Sequence, residues 1–239
     1  MKIIVFNGSP RAEKGNTHVM AEAFLEGARA AGAETENIFL AHKTIHHCMG
    51  CFNCWTKTPG QCAIRDDMDE LLPKLWGADI VVFATPLYVD NVTGIMKNFM
   101  DRMVPAAEPY LSKDGNGECR HLGRGTKAPK IAVISNSGFP EQSHFQVLKL
   151  LFRRIARNMN TEVIAEIYRG GGAILSEKSF WLGFAIRRYR VLVRKAGEEV
   201  ARNLRISAEL QEKLEKPLVS DEVYIKSAND FWDKQLKSK

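Results

Sequence analysis

Four of the five cysteines in this 239-residue chain lie within one run of fifteen residues, at Cys48, Cys51, Cys54 and Cys62. Two residues separate each neighbouring pair of the first three sulfurs, so a short irregular loop can wrap them around one centre. The fourth sulfur can return across a proline–glycine turn. Four convergent thiolates suit an iron–sulfur cluster or a structural zinc. A disulfide framework is typical of small secreted chains and is not favoured in a chain of this length.

The residues around this run leave its occupant open. A histidine ligand would favour zinc, but His42, His46 and His47, just upstream, are interpreted as solvated side chains. The fifth cysteine, Cys119, lies far from the run and is interpreted as a free thiol. The sequence alone is therefore compatible with a cluster, with zinc, or with thiols that are redox-active or unoccupied.

A polar loop over residues 8–17 joins the first predicted strand to the first predicted helix. A helix N-terminus offers unpaired amides and the positive end of a dipole, so a phosphate fits there. The candidate ligands are Ser9, Arg11, Asn16 and Thr17. The loop lacks the Gly-Lys-Ser/Thr ending of a Walker A motif and the three close glycines of a dinucleotide fingerprint, which disfavours tightly held ATP or NAD. A capped helix after a polar turn is the alternative.

Two more loops follow the third and fourth predicted strands. Pro86 fixes the backbone of the first of these loops, and Tyr88 offers a flat face that can stack on a planar ring, with Leu87 between them. The run Asn136-Ser137-Gly138-Phe139 would form a third wall, since glycine permits close approach of a ligand to the backbone. The alternatives are core packing for Tyr88 and an ordinary turn for the last loop.

These loops alternate with apolar segments of strand and helix length. Predicted strands cover residues 2–6, 35–40, 79–84, 130–135 and 162–168, and predicted helices cover residues 17–31, 67–76, 95–103 and 140–159. The alternation predicts an α/β fold with a doubly wound, five-stranded parallel sheet. In the flavodoxin-like order 2-1-3-4-5, ligands bind at the carboxyl ends of the first and third strands. The phosphate loop and the ring-facing loop follow those two strands.

Two segments fall outside this alternation. Residues 113–130 are glycine-rich, polar and charged, and we expect a mobile excursion that could act as a lid. Beyond residue 172 the pattern is helical, with a helix predicted over residues 180–205 and a turn at Pro217. We therefore divide the chain into a flavodoxin-like domain, residues 1–175, and a helical C-terminal extension, residues 176–239.

Charge and targeting signals restrict the class of protein. The formal net charge of +6 is mild for this length and is interpreted as a solvated basic surface. Arg187, Arg190 and Arg194 share one side of the long predicted helix, but the interleaved aromatics of an RNA-binding surface are missing, so no nucleic-acid partner is expected. No secretory signal or bilayer-length apolar stretch is visible, which predicts a cytoplasmic protein without a membrane partner. No Ser-His-Asp order or carboxylate pair favours hydrolysis.

Several separated motifs occur in order along the chain: Gly8-Ser9-Pro10-Arg11, Gly15-Asn16-Thr17, the run from Cys48 to Trp55 with Cys62, Asp66-Asp67-Met68, Thr85-Pro86-Leu87-Tyr88, Thr93-Gly94, and Lys97 to Arg102. This set resembles the NADPH-dependent FMN reductase superfamily. Within that superfamily, the cysteine run is similar to the iron–sulfur flavoprotein branch. The resemblance covers about residues 1–170.

The resemblance implies an FMN-binding domain over residues 1–175. It assigns the FMN phosphate to Ser9, Arg11, Asn16 and Thr17, the isoalloxazine to Pro86, Leu87 and Tyr88, and the ribityl or ring side to Ser137 and Gly138. It also implies a [4Fe-4S] cluster held by Cys48, Cys51, Cys54 and Cys62 near the flavin, commonly at a subunit interface. A homodimer or a homotetramer is the expected assembly.

The activity implied is that of an FMN-dependent NAD(P)H oxidoreductase of the iron–sulfur flavoprotein type. Electrons would pass from NAD(P)H or a ferredoxin-like donor to FMN, and then to the cluster or to a small acceptor such as a quinone or free flavin. No side chain need be catalytic, because the flavin carries the chemistry. The alternatives are an electron carrier without turnover of its own, partnered by ferredoxin, and a zinc-stapled interaction module without flavin.

Overall fold

A parallel sheet of five strands is the centre of the computed structural model, which describes residues 1–125, 127–176 and 180–237. The strands of the chain are β1 (Lys2–Asn7), β2 (Glu34–Phe39), β3 (Ile80–Pro86), β4 (Ala107–Lys113), β5 (Cys119–Gly123), β6 (Lys130–Asn136) and β7 (Val163–Arg169). The sheet order is β2-β1-β3-β6-β7, and β4 and β5 form a separate two-stranded sheet. The predicted flavodoxin-like order 2-1-3-4-5 is confirmed, since β6 and β7 are the fourth and fifth strands of the parallel sheet.

Helices cover both faces of this sheet. They are α1 (Asn16–Ala30), α2 (Asn53–Thr56), α3 (Met68–Trp76), α4 (Gly94–Asp101), α5 (Gln146–Asn158), α6 (Phe180–Asn203), α7 (Ala208–Glu215) and α8 (Asp221–Lys237). Alternate strand residues enter opposite cores: Ile3 and Val5 pack with α1, α6 and α7, whereas Ile4 and Phe6 pack with α3, α4 and α5. Because both faces of a central strand are buried, its sequence is a continuous apolar run.

The C-terminal helices are attached to the sheet through α6. Helix α6 crosses α1 so closely that a Cβ atom at Gly27 would lie 1.7 Å from the Arg194 carbonyl oxygen, and one at Gly197 would lie 1.9 Å from the Phe24 carbonyl oxygen. Tyr189 of α6 belongs to the same core as the strands. The predicted C-terminal helices are therefore present and share the core of the sheet, while the division at residue 175 stays a prediction.

The first part of the glycine-rich segment, as far as Gly123, belongs to a β-hairpin that the sequence did not predict. Strands β4 and β5 pair antiparallel across a turn in which the Asp114 carboxylate accepts hydrogen bonds from the amides of Asn116 (2.9 Å) and Glu118 (3.0 Å). Two arginines of α5 hold this turn: Arg157 pairs with Asp114 at 2.9 Å, and Arg154 with Glu118 at 2.7 Å. These contacts join residues far apart in sequence, so local composition did not reveal them.

The three arginines that share one side of α6 lie at the surface, as predicted. Arg187, Arg190 and Arg194 are exposed, and Arg190 lies 3.7 Å from the Glu26 carboxylate. Across the part of the chain that the structure describes, no helix combines the length and the apolar character needed to cross a bilayer.

Candidate cofactor site and cysteine centre

The loop between β1 and α1 is folded around its own polar side chains. The Asn7 carboxamide oxygen accepts the Ser9 amide at 3.0 Å, and the Ser9 hydroxyl accepts the Arg11 amide at 3.3 Å. Gly15 permits this packing, because a Cβ atom there would lie 2.4 Å from the Ser9 hydroxyl oxygen. Helix α1 then begins at Asn16, so the first amides of the helix have no carbonyl partner within it.

Two of the four predicted phosphate ligands present free polar groups at this loop. The Arg11 side chain is exposed and Asn16 is half-buried, and neither side chain has a hydrogen-bond or ion-pair partner among residues 1–125, 127–176 and 180–237. Ser9 and Thr17 are buried. The loop thus combines the first amides of a helix, the positive end of its dipole and an unpaired guanidinium, three features that attract an anion.

The loop between β1 and α1 is the first wall of the candidate site, and the turn after β3 is the second. Pro86 is buried at the end of the strand, Leu87 is half-buried, and the Tyr88 side chain is 47% exposed, so its ring is open to a ligand. Tyr88 pairs with Asn91 across a tight turn whose middle residues both have left-handed backbone, with φ of 47° at Val89 and 55° at Asp90. A β-branched residue rarely adopts this conformation, and such strain concentrates at ligand sites.

The third wall is the loop after β6. The Ser137 amide donates to the Arg169 carbonyl at 3.0 Å, and the Ser137 hydroxyl oxygen accepts the Phe139 amide at 3.0 Å. Gly138 lies between them with open space where a Cβ atom would stand. Ser137 is buried, whereas Phe139 is exposed and stacks on His144 with ring centroids 4.2 Å apart.

Three hydrogen bonds fasten these walls to one another. The Thr93 hydroxyl, which also caps α4, donates to the Gly8 carbonyl at 2.6 Å and joins the first wall to the second. The Leu87 amide donates to the Asn136 carbonyl at 2.8 Å and joins the second to the third. The Asn136 side-chain amide donates to the Thr17 hydroxyl at 2.8 Å and joins the third to the first.

Two of these fastening residues, Thr93 and Asn136, lie in sequence motifs named above, but the family resemblance assigned neither of them to the cofactor. Thr93 opens the Thr93-Gly94 motif and Asn136 begins the predicted third wall, so the motifs themselves were the signal for both residues. The structure brings the predicted phosphate, ring and ribityl residues to one edge of the sheet, at the carboxyl ends of β1, β3 and β6.

The four cysteines of the run line a single cavity of about 300 Å³. Cys54 is buried, Cys62 is partly buried, and Cys48 and Cys51 are exposed. Arg102 and Pro105, from the segment that follows α4, close its other side. Among the described residues, no three His, Cys, Asp or Glu side chains converge in a metal-binding arrangement. The thiols therefore share one cavity without meeting at one point.

The chemistry of this donor set fits a soft, positively charged centre. Burial raises the pKa of the Cys54 thiol, and the neighbouring Cys62, Cys48 and Cys51 thiolates raise it further. A metal centre would relieve this repulsion, because its positive charge stabilises coordinated thiolates. The residues present therefore suit an iron–sulfur cluster or zinc, the two groups that four thiolates favour.

A buried ion pair closes the base of the cysteine loop. The Arg102 guanidinium lies 2.7 Å from the Asp66 carboxylate, and both side chains are 1% exposed. Arg102 also donates to the carbonyls of His46 (2.8 Å) and Ile64 (3.2 Å), one on each side of the cysteine run. Burial acts to raise the pKa of Asp66, but hydrogen bonds from Arg102 and from the His46 and Met68 amides outweigh it and lower the pKa to about 2.

The hairpin forms a second support for the loop. Trp55 stacks on Phe52 with ring centroids 4.9 Å apart, and its other neighbour is His121 of β5, also at 4.9 Å. The Trp55 indole N–H donates to the Val104 carbonyl at 3.2 Å, and Arg124 donates to the Cys54 carbonyl at 3.4 Å. The cysteine loop is thus held between α4 and the hairpin.

The cysteine cavity and the three-walled site lie at opposite ends of α4. Thr93 caps the N-terminus of this helix beside the loop between β1 and α1, whereas Asp101 and Arg102 at its C-terminus line the cysteine cavity. Eight helical residues separate the two, which corresponds to about 12 Å along the helix axis. Within one chain, the predicted ring wall and the thiols are therefore neighbours across one short helix.

Comparisons with known proteins find a family model and relatives that are similar to part of the chain. The family model described as NADPH-dependent FMN reductase matches residues 1–116. An iron–sulfur flavoprotein of Archaeoglobus fulgidus is 43% identical over 143 residues, which are 59% of this chain and 58% of that protein. An iron–sulfur flavoprotein of Methanocaldococcus jannaschii is 42% identical over 105 residues, 44% of this chain and 53% of that protein. The chain thus spans little more than half the length of these relatives.

Similarity to solved structures extends over most of the chain. The NAD(P)H:quinone oxidoreductase from Methanothermobacter marburgensis superposes with a TM-score of 0.61 at 17% sequence identity, covering 84% of this chain and 96% of that one. At this identity the likeness shows the fold alone. The matches in sequence support the NADPH-dependent FMN reductase family for residues 1–116, and they relate part of the chain to iron–sulfur flavoproteins.

Proposed function

We propose that this chain is an FMN-dependent NAD(P)H oxidoreductase of the iron–sulfur flavoprotein type. The observation that carries the proposal is the fastening of three loops, by the bonds from Thr93, Leu87 and Asn136, into one site at the carboxyl ends of β1, β3 and β6. Ligands of open α/β sheets bind at this edge. The match of residues 1–116 to the NADPH-dependent FMN reductase family and the names of the relatives support the same activity.

The phosphate of FMN occupies the first wall in this proposal. The amides at the start of α1 and the unpaired Arg11 guanidinium supply positive charge to a dianion. The Ser9 and Thr17 hydroxyls each accept one hydrogen bond from the protein, so each retains a proton to donate. Phosphate binding at this position fixes the direction in which the rest of the cofactor leaves the loop.

The ring system lies against the second and third walls. Tyr88 offers an exposed aromatic face, Pro86 and Leu87 form the floor, and Ser137 and Gly138 close the ribityl or ring side. When bound, FMN would supply the redox chemistry, hydride acceptance from a reduced nicotinamide and release of single electrons. The side chains of the site therefore bind and orient the cofactor, and we assign no catalytic acid or base.

The four cysteines bind a [4Fe-4S] cluster in this proposal. Their common cavity and the names of the relatives support it. Each of Cys48, Cys51, Cys54 and Cys62 contributes one thiolate.

The partners follow from the same site. We propose NAD(P)H or a ferredoxin-like protein as electron donor and a small molecule such as a quinone or free flavin as acceptor. We also propose a homodimer or homotetramer, because Met49 and Phe52 form an exposed apolar rim around the cysteine cavity. Size-exclusion chromatography with light scattering tests the assembly, and a monomer would count against it.

An electron carrier without turnover is a second candidate function. The exposure of Cys48 and Cys51 favours it, because a protein partner could approach the thiol cavity directly. Steady-state NADH and NADPH oxidation by the purified protein separates the two functions. Oxidation no faster than with free FMN, together with electron exchange with ferredoxin, would support the carrier.

The test of the proposal is anaerobic purification with a visible spectrum and with FMN, iron, sulfide and zinc counted per chain. We expect one FMN and about four iron and four sulfide, whereas colourless protein with one zinc would contradict both cofactors. Arg11→Ala should weaken FMN binding roughly tenfold or more through loss of a charge-assisted contact. The control is Arg153→Ala, an exposed arginine of α5 that should leave FMN binding unchanged.

A further inference from the structure

The C-terminal helix α8 reaches the third wall through one tyrosine. Tyr224 is 8% exposed although it belongs to a helix that is largely exposed, and its hydroxyl donates to the Gly138 carbonyl at 2.8 Å. Its ring lies against Gly171, where the backbone has φ of 63° and where an added Cβ atom would lie 3.2 Å from the ring. A residue 86 positions along the chain thus contacts the loop of the proposed flavin site.

This contact fixes the peptide between Gly138 and Phe139 at both of its edges. The Phe139 N–H donates to the Ser137 hydroxyl oxygen at 3.0 Å, while the carbonyl of the same peptide accepts from Tyr224. Because a peptide unit is planar, bonds at its two opposite edges prevent its rotation. The Ser137 hydroxyl then has an occupied acceptor position, and its proton is left to point toward a ligand.

A second contact, independent of Tyr224, anchors the C-terminal extension beside the loop that follows β6. Arg169, buried at the end of β7, donates to the Lys216 carbonyl at 2.8 Å and to the Leu214 carbonyl, at the C-terminal end of α7. The Arg169 carbonyl in turn accepts the Ser137 amide at 3.0 Å. A cation at a helix C-terminus is favourable, so this attachment is stable without the tyrosine hydroxyl.

We propose that Tyr224 is a positioning residue of the flavin site. Its hydroxyl sets the orientation of the Ser137–Gly138–Phe139 loop against the ribityl or ring side of the cofactor, so the C-terminal extension completes the site. The inference rests on the proposed function, since it requires flavin at these three walls. It assigns a role to a segment that lies beyond residues 1–116, the part that the family model matches.

Tyr224→Phe tests this role, because it removes the hydroxyl and keeps the ring against Gly171. We expect the affinities for FMN and for riboflavin to fall by the same factor, roughly five- to tenfold, as for one lost hydrogen bond. Arg11→Ala should weaken FMN and leave riboflavin unchanged, because riboflavin has no phosphate. The matched control is Tyr110→Phe on the exposed face of β4, which should bind both flavins as the unmodified protein does.

A spectroscopic readout distinguishes positioning from a loss of stability. At saturating FMN and well below the melting temperature, the visible circular dichroism of flavin bound to Tyr224→Phe should differ from that of the unmodified protein. Unchanged riboflavin affinity and a superimposable spectrum would overturn the inference while leaving the proposed function intact. If the unmodified protein binds neither FMN nor riboflavin, the proposed function fails and the inference fails with it.

Discussion

The Arg102 guanidinium and the Asp66 carboxylate meet at 2.7 Å in a place where each side chain is 1% exposed. Arg102 comes directly after α4 and Asp66 lies two residues before α3, so the pair joins two helices across the base of the cysteine loop. The same guanidinium binds the carbonyls of His46 and Ile64. The loop that holds the thiols is thus closed by a charge pair that water does not reach.

Arg102→Ala should destabilise the protein strongly. Removing one partner of a buried ion pair leaves the other charge unpaired, and the expected loss is about 3–5 kcal/mol in the free energy of unfolding. The measurement is urea unfolding. Arg65→Ala is the control, because that arginine is 69% exposed and pairs with Asp69 on one surface, where about 1 kcal/mol or less is expected. Equal losses of unfolding free energy in the two variants would contradict a special contribution from the buried Arg102–Asp66 pair.

The Asp66 carboxyl should make stability depend on pH in the acid range. Its pKa is about 2 in the folded protein against an ordinary value of 3.8, so the folded state favours the ionised form. This stabilisation, about 2 kcal/mol, is complete above the unfolded pKa and is lost as the pH falls from about 4 towards 2. The stability difference between the unmodified protein and Asp66→Asn should shrink by that amount between pH 6 and pH 2. A constant difference would show that Asp66 titrates normally.

Serine in place of any cysteine of the run should remove cluster iron. We expect iron to fall from about four per chain to near zero in Cys48→Ser, Cys51→Ser, Cys54→Ser and Cys62→Ser, since hydroxyl oxygen is a poor ligand for a soft metal site. Cys119→Ser is the control, because Cys119 lies on the hairpin outside the cavity and should keep full iron. FMN content should stay unchanged in all five variants. Full retention of iron in the four variants of the cysteine run would exclude the cluster assignment.

The fold was predictable because its signals are local. Four strands of the sheet are short, largely apolar runs, whereas β2 is mostly polar. Every predicted strand lies within two residues of the observed one. The order of the sheet followed from the alternation of strands and helices. The hairpin was missed because its turn is stabilised by Arg154 and Arg157, which lie in a helix about forty residues later. Composition alone suggested a loop there.

The site was predictable only in part, for a similar reason. Loop residues such as Ser9 and Tyr88 follow strands whose ends meet at one edge, so sequence order places them together. The Thr93–Gly8 and Tyr224–Gly138 contacts join residues 85 and 86 positions apart, and no periodicity predicts such pairs. The Asp66–Arg102 ion pair was not predicted, for the same reason, although both residues lie in motifs that carry the family resemblance.

Gly27→Ala should destabilise the packing of the C-terminal helices on the sheet. The added methyl group would lie 1.7 Å from the Arg194 backbone oxygen, so α6 must move away from α1, and overpacking of this kind costs about 1–3 kcal/mol. Gly183→Ala is the matched control in α6, where a Cβ atom meets nothing within 4 Å. Alanine there should raise stability by up to about 1 kcal/mol through helix propensity. Urea unfolding measures both, and a Gly27→Ala variant as stable as the unmodified protein would mean that the two helices pack less closely than the structure indicates.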